Sequence, residues 1–271
     1  MAQARPITFL SDYGHEDEFV GVCHAVIAQI APEARVIDLT HGIGRQDVMQ
    51  GAVSLANALP FCPPGVHLAV VDPGVGSPRR AVAMALAEEG RLLVGPDNGL
   101  LSRAADRLGG ATAAVDLARS PFRLEPLSST FHGRDLFAPV AAHFALGARL
   151  EEAGEEIDTA SLSSLELPTP EIGADRIVAH AIHTDGYGNV TLNVDASMLS
   201  GVALEPGDRV EVRAPDGRFE ALWARTFADV ERGDLLLYRD SSGALALAAS
   251  GGNAAGLLDL RPGAAVELRP R

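Results

Sequence analysis

The stretch "VHLAVVDPGVGSPRR", residues 66–80, decides how this chain is read. A nearly continuous apolar run ends in Asp72, turns through Pro73, Gly74 and Gly76, and then presents Arg79 and Arg80. An unbroken apolar run suits a strand covered on both faces, the condition of a parallel sheet with helices on either side. A carboxylate at the strand tip with guanidinium groups beside it allows two readings. One is a tight polar turn with a structural ion pair; the other is a site that activates water.

Outward from that stretch, strand-like and helix-like segments alternate. "PITFLSD" (6–12), "ARVIDLTH" (34–41), "AVAMALA" (81–87) and "RLLVGPDNG" (91–99) read as further strands. "EFVGVCHAVIAQIAP" (18–32), "DVMQGAVSLANALP" (47–60), "LLSRAADRLGG" (100–110) and "RDLFAPVAAHFALG" (134–147) carry apolar residues at helical spacing. The pattern predicts an α/β domain with a doubly wound, mostly parallel sheet. Asp12, Thr40, His41, Asp72, Asp97 and Asn98 gather where its strands end. In open α/β sheets the ligand crevice lies outside those ends. Any one of the Asp or Asn residues alone is better explained as a turn or helix cap than as a ligand; their shared position is what points to a site.

The acidic, Ser-rich and Pro-bearing segment 150–173 reads as an inter-domain connection, dividing a first domain, 1–165, from a second, 166–271. Beyond it the pattern changes to short alternating strands punctuated by Gly, Asp and Pro, predicting a smaller antiparallel, barrel-like β domain. Its loops "DGYGN" (185–189), "RDSSG" (239–243) and "GGNAAG" (251–256) read singly as turns. Together they place Asp185, Asn189, Ser241, Ser242 and Asn253 where they could line a cleft, and Trp223, Phe227 and Tyr238 serve either as core anchors or as a stacking surface for a flat base.

Composition narrows the chemistry. The 271 residues carry a net charge of −14, which disfavours a sequence-independent nucleic-acid binder. All 22 basic residues are arginine, so a Walker lysine, a Schiff-base lysine and a pyridoxal phosphate anchor are excluded. Cys23 and Cys62 form no C-x-x-C pair and read as small buried hydrophobes. No apolar run reaches membrane-span length, and "MAQARPITFLSDYG" lacks a signal-peptide apolar region with a cleavage site, so the expected location is the cytoplasm. "SDYGHEDEF", "GPDNG" and "FHGRD" supply oxygen and nitrogen donors of the kind divalent metals take, but no H-x-x-x-H or D-x-H spacing appears, and the expectation is no metal.

In order, "FLSDYGHEDEFVG", "IDLTHGI", "VVDPGVGSPRR", "GPDNGLLS", "STFHGRDLFAPVAAH", "DGYGNVTLNV", "TFAD" and "GGNAA" resemble the S-adenosyl-L-methionine (SAM) hydroxide adenosyltransferases, the SAM hydrolases related to the SAM-dependent chlorinase and fluorinase. The resemblance implies hydrolysis of SAM to adenosine and L-methionine without a cofactor, in a homotrimer with the site between subunits. It maps the catalytic set onto Asp72, Arg79 and His132, with Arg80 one residue past the motif position. Asp12 is implied to bind the ribose hydroxyls, and Asp17 and Asp185 the methionine ammonium. Ser241 and Ser242 match the carboxylate-binding stretch, where the fluorinase's arginine is replaced by Ser242. Asn189, Asn253 and Ala254 match adenine-edge contacts, while Phe227 and Tyr238 pack on the base. Asp72 and Val75 stand where the halogenases carry a halide pocket, and Gly133 where the fluorinase has a serine, which implies water as nucleophile. A chlorinase-like enzyme and a non-catalytic SAM or adenosine sensor remain the alternatives.

Overall fold

The computed structural model describes residues 4–199, 201, 202 and 204–271. The chain divides into two compact units, Met1–Leu165 and Glu166–Arg271. In the first, strands β1 (Ile7–Ser11), β2 (Val36–Thr40), β3 (Val66–Val70), β4 (Ala81–Leu86), β5 (Leu92–Pro96), β6 (Ala111–Asp116) and β7 (Glu155–Ile157) form one sheet in the order β2-β1-β3-β5-β4-β6-β7. The first four in that order are parallel. Strand β4 enters antiparallel to both β5 and β6, and β7 antiparallel to β6, so only β4 and β7 oppose the common direction.

Both faces are covered, as the apolar runs require. Ile7, Phe9, Val66, Leu68 and Val70 pack on one side with Cys23, Val26 and Ile27 of helix α1 (Phe19–Ile30) and with α4 (Ala138–Ala145). Leu10, Ala69 and Val71 face the other way, toward Leu55 and Ala56 of α2 (Val48–Ala58) and Ala104 and Ala105 of α3 (Ser102–Arg107). Each such aliphatic side chain, fully buried, contributes about 1.5–3 kcal/mol.

The expected connection over 150–173 is partly incorrect. Leu150–Ala153 is a short helix, α5, and Glu155–Ile157 is the seventh strand of the sheet. Acidic composition concealed it because a three-residue edge strand exposes Glu155 and Glu156 and half-buries only Ile157. Strand β6, half alanine, also lacks a strand signature in the sequence.

The second unit contains β8 (Glu171–Ile172), β9 (Ile177–Thr184), β10 (Val190–Asp195), β11 (Arg209–Ala214), β12 (Gly217–Trp223), β13 (Leu235–Arg239), β14 (Ala244–Ala249), helix α6 (Ala254–Leu258) and β15 (Ala265–Pro270). Strand order β10-β14-β13-β12-β11-β15-β9-β8, with β9 also pairing β10, closes a seven-strand barrel to which β8 is appended. All pairings are antiparallel except β12 with β13. Val190, Leu192 and Val194 are fully buried at every second position, the alternation a barrel interior requires. Trp223 packs at the margin of that interior.

Candidate active site

Asp72 lies two residues past the last residue of β3, beyond the C-terminal end of that parallel strand. The next residues form a tight turn, with Val75 N–H bonded to the Asp72 carbonyl (3.2 Å) and Ser77 N–H to that of Gly74 (3.0 Å). Gly76 adopts φ +79°, and a Cβ there would strike the Ser129 carbonyl. This close approach brings the turn against the 128–132 loop, which carries His132. That loop is anchored by buried Asp135, whose Oδ2 accepts from Ser128 N–H (2.9 Å) and Arg134 Nη2 (2.9 Å).

The two loops meet at Arg79. Its Nε donates to Asp72 Oδ1 (2.8 Å), its Nη2 to Asp72 Oδ2, and the same Nη2 reaches His132 Nδ1 at 3.0 Å. The side chains of Asp72 and Arg79 are only 6% and 11% exposed, so the pair is shielded from water. The Phe137 ring lies 5.4 Å from the guanidinium carbon and completes its seat. A guanidinium can only donate, so Nδ1 of His132 accepts and the neutral ring carries its proton on Nε2. Burial, then the charge of Arg79, lowers the His132 pKa, which keeps the ring neutral. Arg80 points elsewhere: it pairs with Asp97 (Nε–Oδ2 2.8 Å) and bonds Ser161 Oγ (2.9 Å).

Asp72 and His132 open onto a pocket of about 370 Å³, lined also by Asp12, Asp17, Phe19, Val75, Thr130 and Gly133. Tyr13, Arg45 and Gln46 belong to the same wall, and none of the three was singled out from sequence. Gln46 takes φ +62°, and its N–H bonds Asp12 Oδ2 (2.8 Å). One oxygen of Asp12 therefore fastens the loop that leads to Asp47, the N-cap of α2.

The second unit gathers its own polar group. The 185–189 loop is the β9–β10 hairpin turn: Asp185 Oδ1 accepts from Tyr187 N–H and Asn189 N–H (both 2.9 Å), and Oδ2 from Asn189 Nδ2 (2.8 Å). The α6 start lies against it, with Ala255 N–H bonded to the Gly188 carbonyl (3.0 Å). Exposed Asn253 caps α6 through Gly256 N–H (2.8 Å), with Ala254 buried beside it. Phe227 and Tyr238 meet with ring centroids 5.3 Å apart. Burial, Asp185 and Asp240 push the Tyr238 hydroxyl up to about 12. Asp240, not singled out from sequence, organises the 239–243 turn by accepting from Ser242 Oγ (2.6 Å), while Ser241 is exposed.

One cluster has the composition of a cation site. The ligand atoms of His24, Asp38 and His41 lie within 4.8 Å of one another. Asp38 Oδ1 is 2.9 Å from His24 Nε2 and 3.0 Å from His41 Nε2, and Ser11 Oγ orients the His41 ring at Nδ1 (2.7 Å). None of the three lines the pocket. Cys23 is buried and its thiol is pushed up to about 12 by burial, which leaves it inert, while burial also raises the Cys62 thiol.

Fold and site define a two-unit protein: a doubly wound domain with a carboxylate–guanidinium–imidazole set beyond its strand ends, followed by a closed β-barrel. Residues 7–154 match the SAM hydroxide adenosyltransferase N-terminal domain and residues 179–267 the C-terminal domain of the same family. The chain belongs to the SAM hydroxide adenosyltransferase family. It is 48% identical over 263 residues to an (R)-S-adenosyl-L-methionine hydrolase of Salinispora tropica, covering 97% of each chain. A fluorinase of Nocardia brasiliensis is 27% identical, over 98% of this chain and 97% of that one. Among solved structures, a conserved protein from Thermotoga maritima superposes with a TM-score of 0.90 at 35% identity, covering 97% of this chain and 99% of its own.

Proposed function

We propose that this enzyme hydrolyses SAM to adenosine and L-methionine. The observation that carries this reading is the bridge Asp72–Arg79–His132 at a pocket shared with Asp12 and Asp17. A water oxygen bonds to C5′ of the ribose as the C5′–S bond breaks, its electron pair passing to sulfur. Nucleophile, carbon and sulfur lie in line, so much of the acceleration is positional. The sulfonium charge disperses in the transition state and is neutralised once sulfur departs and Asp72 takes the proton, a change that a shielded pocket favours.

The chain's groups divide the work. Water, with a pKa of about 15.7, is not deprotonated outright by a carboxylate. Asp72 keeps two of its roughly four acceptor sites after binding Arg79, enough to orient the water and take its proton as attack proceeds. His132 presents Nε2–H toward the same oxygen. Arg79 sets both partners from behind, and its charge stabilises the hydroxide character that develops. Asp12 reads the ribose hydroxyls with the acceptor sites left by Gln46, and Asp17 holds the ammonium.

In this reading the enzyme is a cytoplasmic homotrimer needing no cofactor or metal. The barrel of a neighbouring copy presents Asp185 to the ammonium, Ser241 and Ser242 to the carboxylate, Asn189, Asn253 and Ala254 to the adenine edge, and Phe227 and Tyr238 to its face. Among the described residues no helix is long and apolar enough to cross a membrane. The test is incubation of the purified protein with SAM and chromatography for adenosine and methionine. Failure to release adenosine refutes the proposal, and a chloride-dependent 5′-chloro-5′-deoxyadenosine product would replace it with a halogenase.

A further inference from the structure

A Cβ built on Gly133 would overlap the Tyr13 hydroxyl, so this phenol stands directly over the residue after His132. Tyr13, Gly133, His132 and Asp72 line one pocket. The ring is seated by edge contacts with Phe9 (6.5 Å) and Phe131 (5.7 Å) and a tilted contact with Phe19 (5.9 Å). Among the described residues, Tyr13 hydrogen-bonds through its backbone N–H to Ser11 Oγ, and its hydroxyl bonds to no other residue. Burial, and then Cys23, Asp12 and Asp72, raise its pKa well above 10, with Arg79 opposing. The group therefore keeps its proton and lies within the field of two of the pocket carboxylates, Asp12 and Asp72.

A water attacking carbon has four directions to satisfy: two lone pairs and two hydrogens. One lone pair faces C5′ and the other accepts Nε2–H of His132. One hydrogen goes to Asp72. The second hydrogen has no partner in the Asp72–Arg79–His132 set, because Nδ1 of His132 is taken by Arg79 and a guanidinium accepts nothing. We infer that the Tyr13 hydroxyl oxygen accepts this second hydrogen and is a further catalytic residue of the hydrolysis. The inference rests on the function proposed above.

Tyr13→Phe removes the oxygen and keeps the ring. With SAM as probe and adenosine release as readout, kcat falls about tenfold or more, while KM and the affinity for adenosine stay within about threefold. Gly133→Ala, whose new methyl displaces the hydroxyl, lowers kcat similarly, and the double variant loses no more than either single one. A Tyr13→Phe loss below about fivefold, a loss carried by KM, or additive effects in the double variant overturns the inference. Should Tyr13→Phe fail to fold, Gly133→Ala decides alone: full activity overturns, the same kcat loss at unchanged KM supports. A wild-type enzyme that releases no adenosine refutes the proposed reaction instead, which keeps the two failures apart.

Discussion

Arg80, one residue beyond Arg79, turns from Asp72 and binds Asp97, whose side chain is only 4% exposed. Adjacent guanidinium groups thus serve separate partners, Asp72 at the start of the β3–β4 connection and Asp97 just past β5. Arg79 holds Asp72 and His132; Arg80 ties the end of β5 to the 158–163 segment, where Asp97 Oδ1 also accepts Ser163 N–H (2.8 Å).

Arg79→Ala and Arg80→Ala are therefore expected to fail differently. Arg79→Ala lowers turnover by about two orders of magnitude while SAM still binds. Arg80→Ala leaves kcat within about threefold but destabilises the fold by roughly 1–3 kcal/mol, because Asp97 loses a buried partner. Steady-state kinetics and urea unfolding of the same two variants separate the outcomes.

Asp72→Ala and His132→Ala each lower kcat about a hundredfold with little change in SAM affinity. Calorimetric binding of SAM alongside the kinetics checks the split. A variant keeping wild-type turnover removes that residue from the reaction.

The acid limb of the rate profile lies below pH 6.5. Burial and Arg79 lower the pKa of His132, so the neutral ring that accepts from Arg79 persists below the ordinary histidine range. Protonation places a hydrogen on Nδ1 and expels that bond, and activity falls as pH drops through the lowered value. Arg79→Gln should move the His132 titration upward, read from its ring resonance by NMR even if turnover is lost.

Acid should also weaken the fold through His67. It is fully buried between Thr8 Oγ1 (2.8 Å) and Arg91 Nη1 (3.1 Å), and burial followed by Arg91 lowers its pKa from 6.5 to about 3. The unfolded chain then binds a proton that the folded chain refuses, so stability is complete above pH 6.5 and declines below it until about pH 3. At pH 5 the loss from this group is roughly 2 kcal/mol. His41 and His143, lowered by burial, act in the same direction. Urea midpoints measured from pH 7 to pH 4 show the decline, and a His67→Asn variant flattens it.

In the proposed mechanism Asp72, Arg79 and His132 supply the polarisation, so a chelator is expected to leave turnover unchanged; assays with and without EDTA, followed by added zinc or magnesium, check this. Loss of turnover with EDTA, restored by a divalent ion, would assign the chemistry to a cation.

Much of this arrangement was legible in the chain. Apolar runs ending in Asp12 and Asp72 placed both carboxylates beyond a doubly wound sheet, because a strand's last residue is tied to its hydrophobic stretch. Tyr13 was not legible: its hydroxyl matters through contact with Gly133, 120 residues away by number, and no periodicity encodes that encounter. Gln46 and Arg45 escaped for another reason. Their loop takes its shape from a left-handed residue that is not glycine, held by a bond to Asp12 that no local preference announces. His24 of α1 meets Asp38 of β2 across 14 positions of sequence, an encounter that no local ligand spacing announces, whereas Asp38 and His41 are three residues apart.

The bond from Gln46 to Asp12 couples two properties that evolution would otherwise tune separately. In the proposed reading Asp12 also holds the ribose, so removing its carboxylate would loosen the sugar and the adjoining wall together. A variant at position 12 that no longer reads a 2′-hydroxyl would need a second anchor for Gln46 N–H to keep that wall in place.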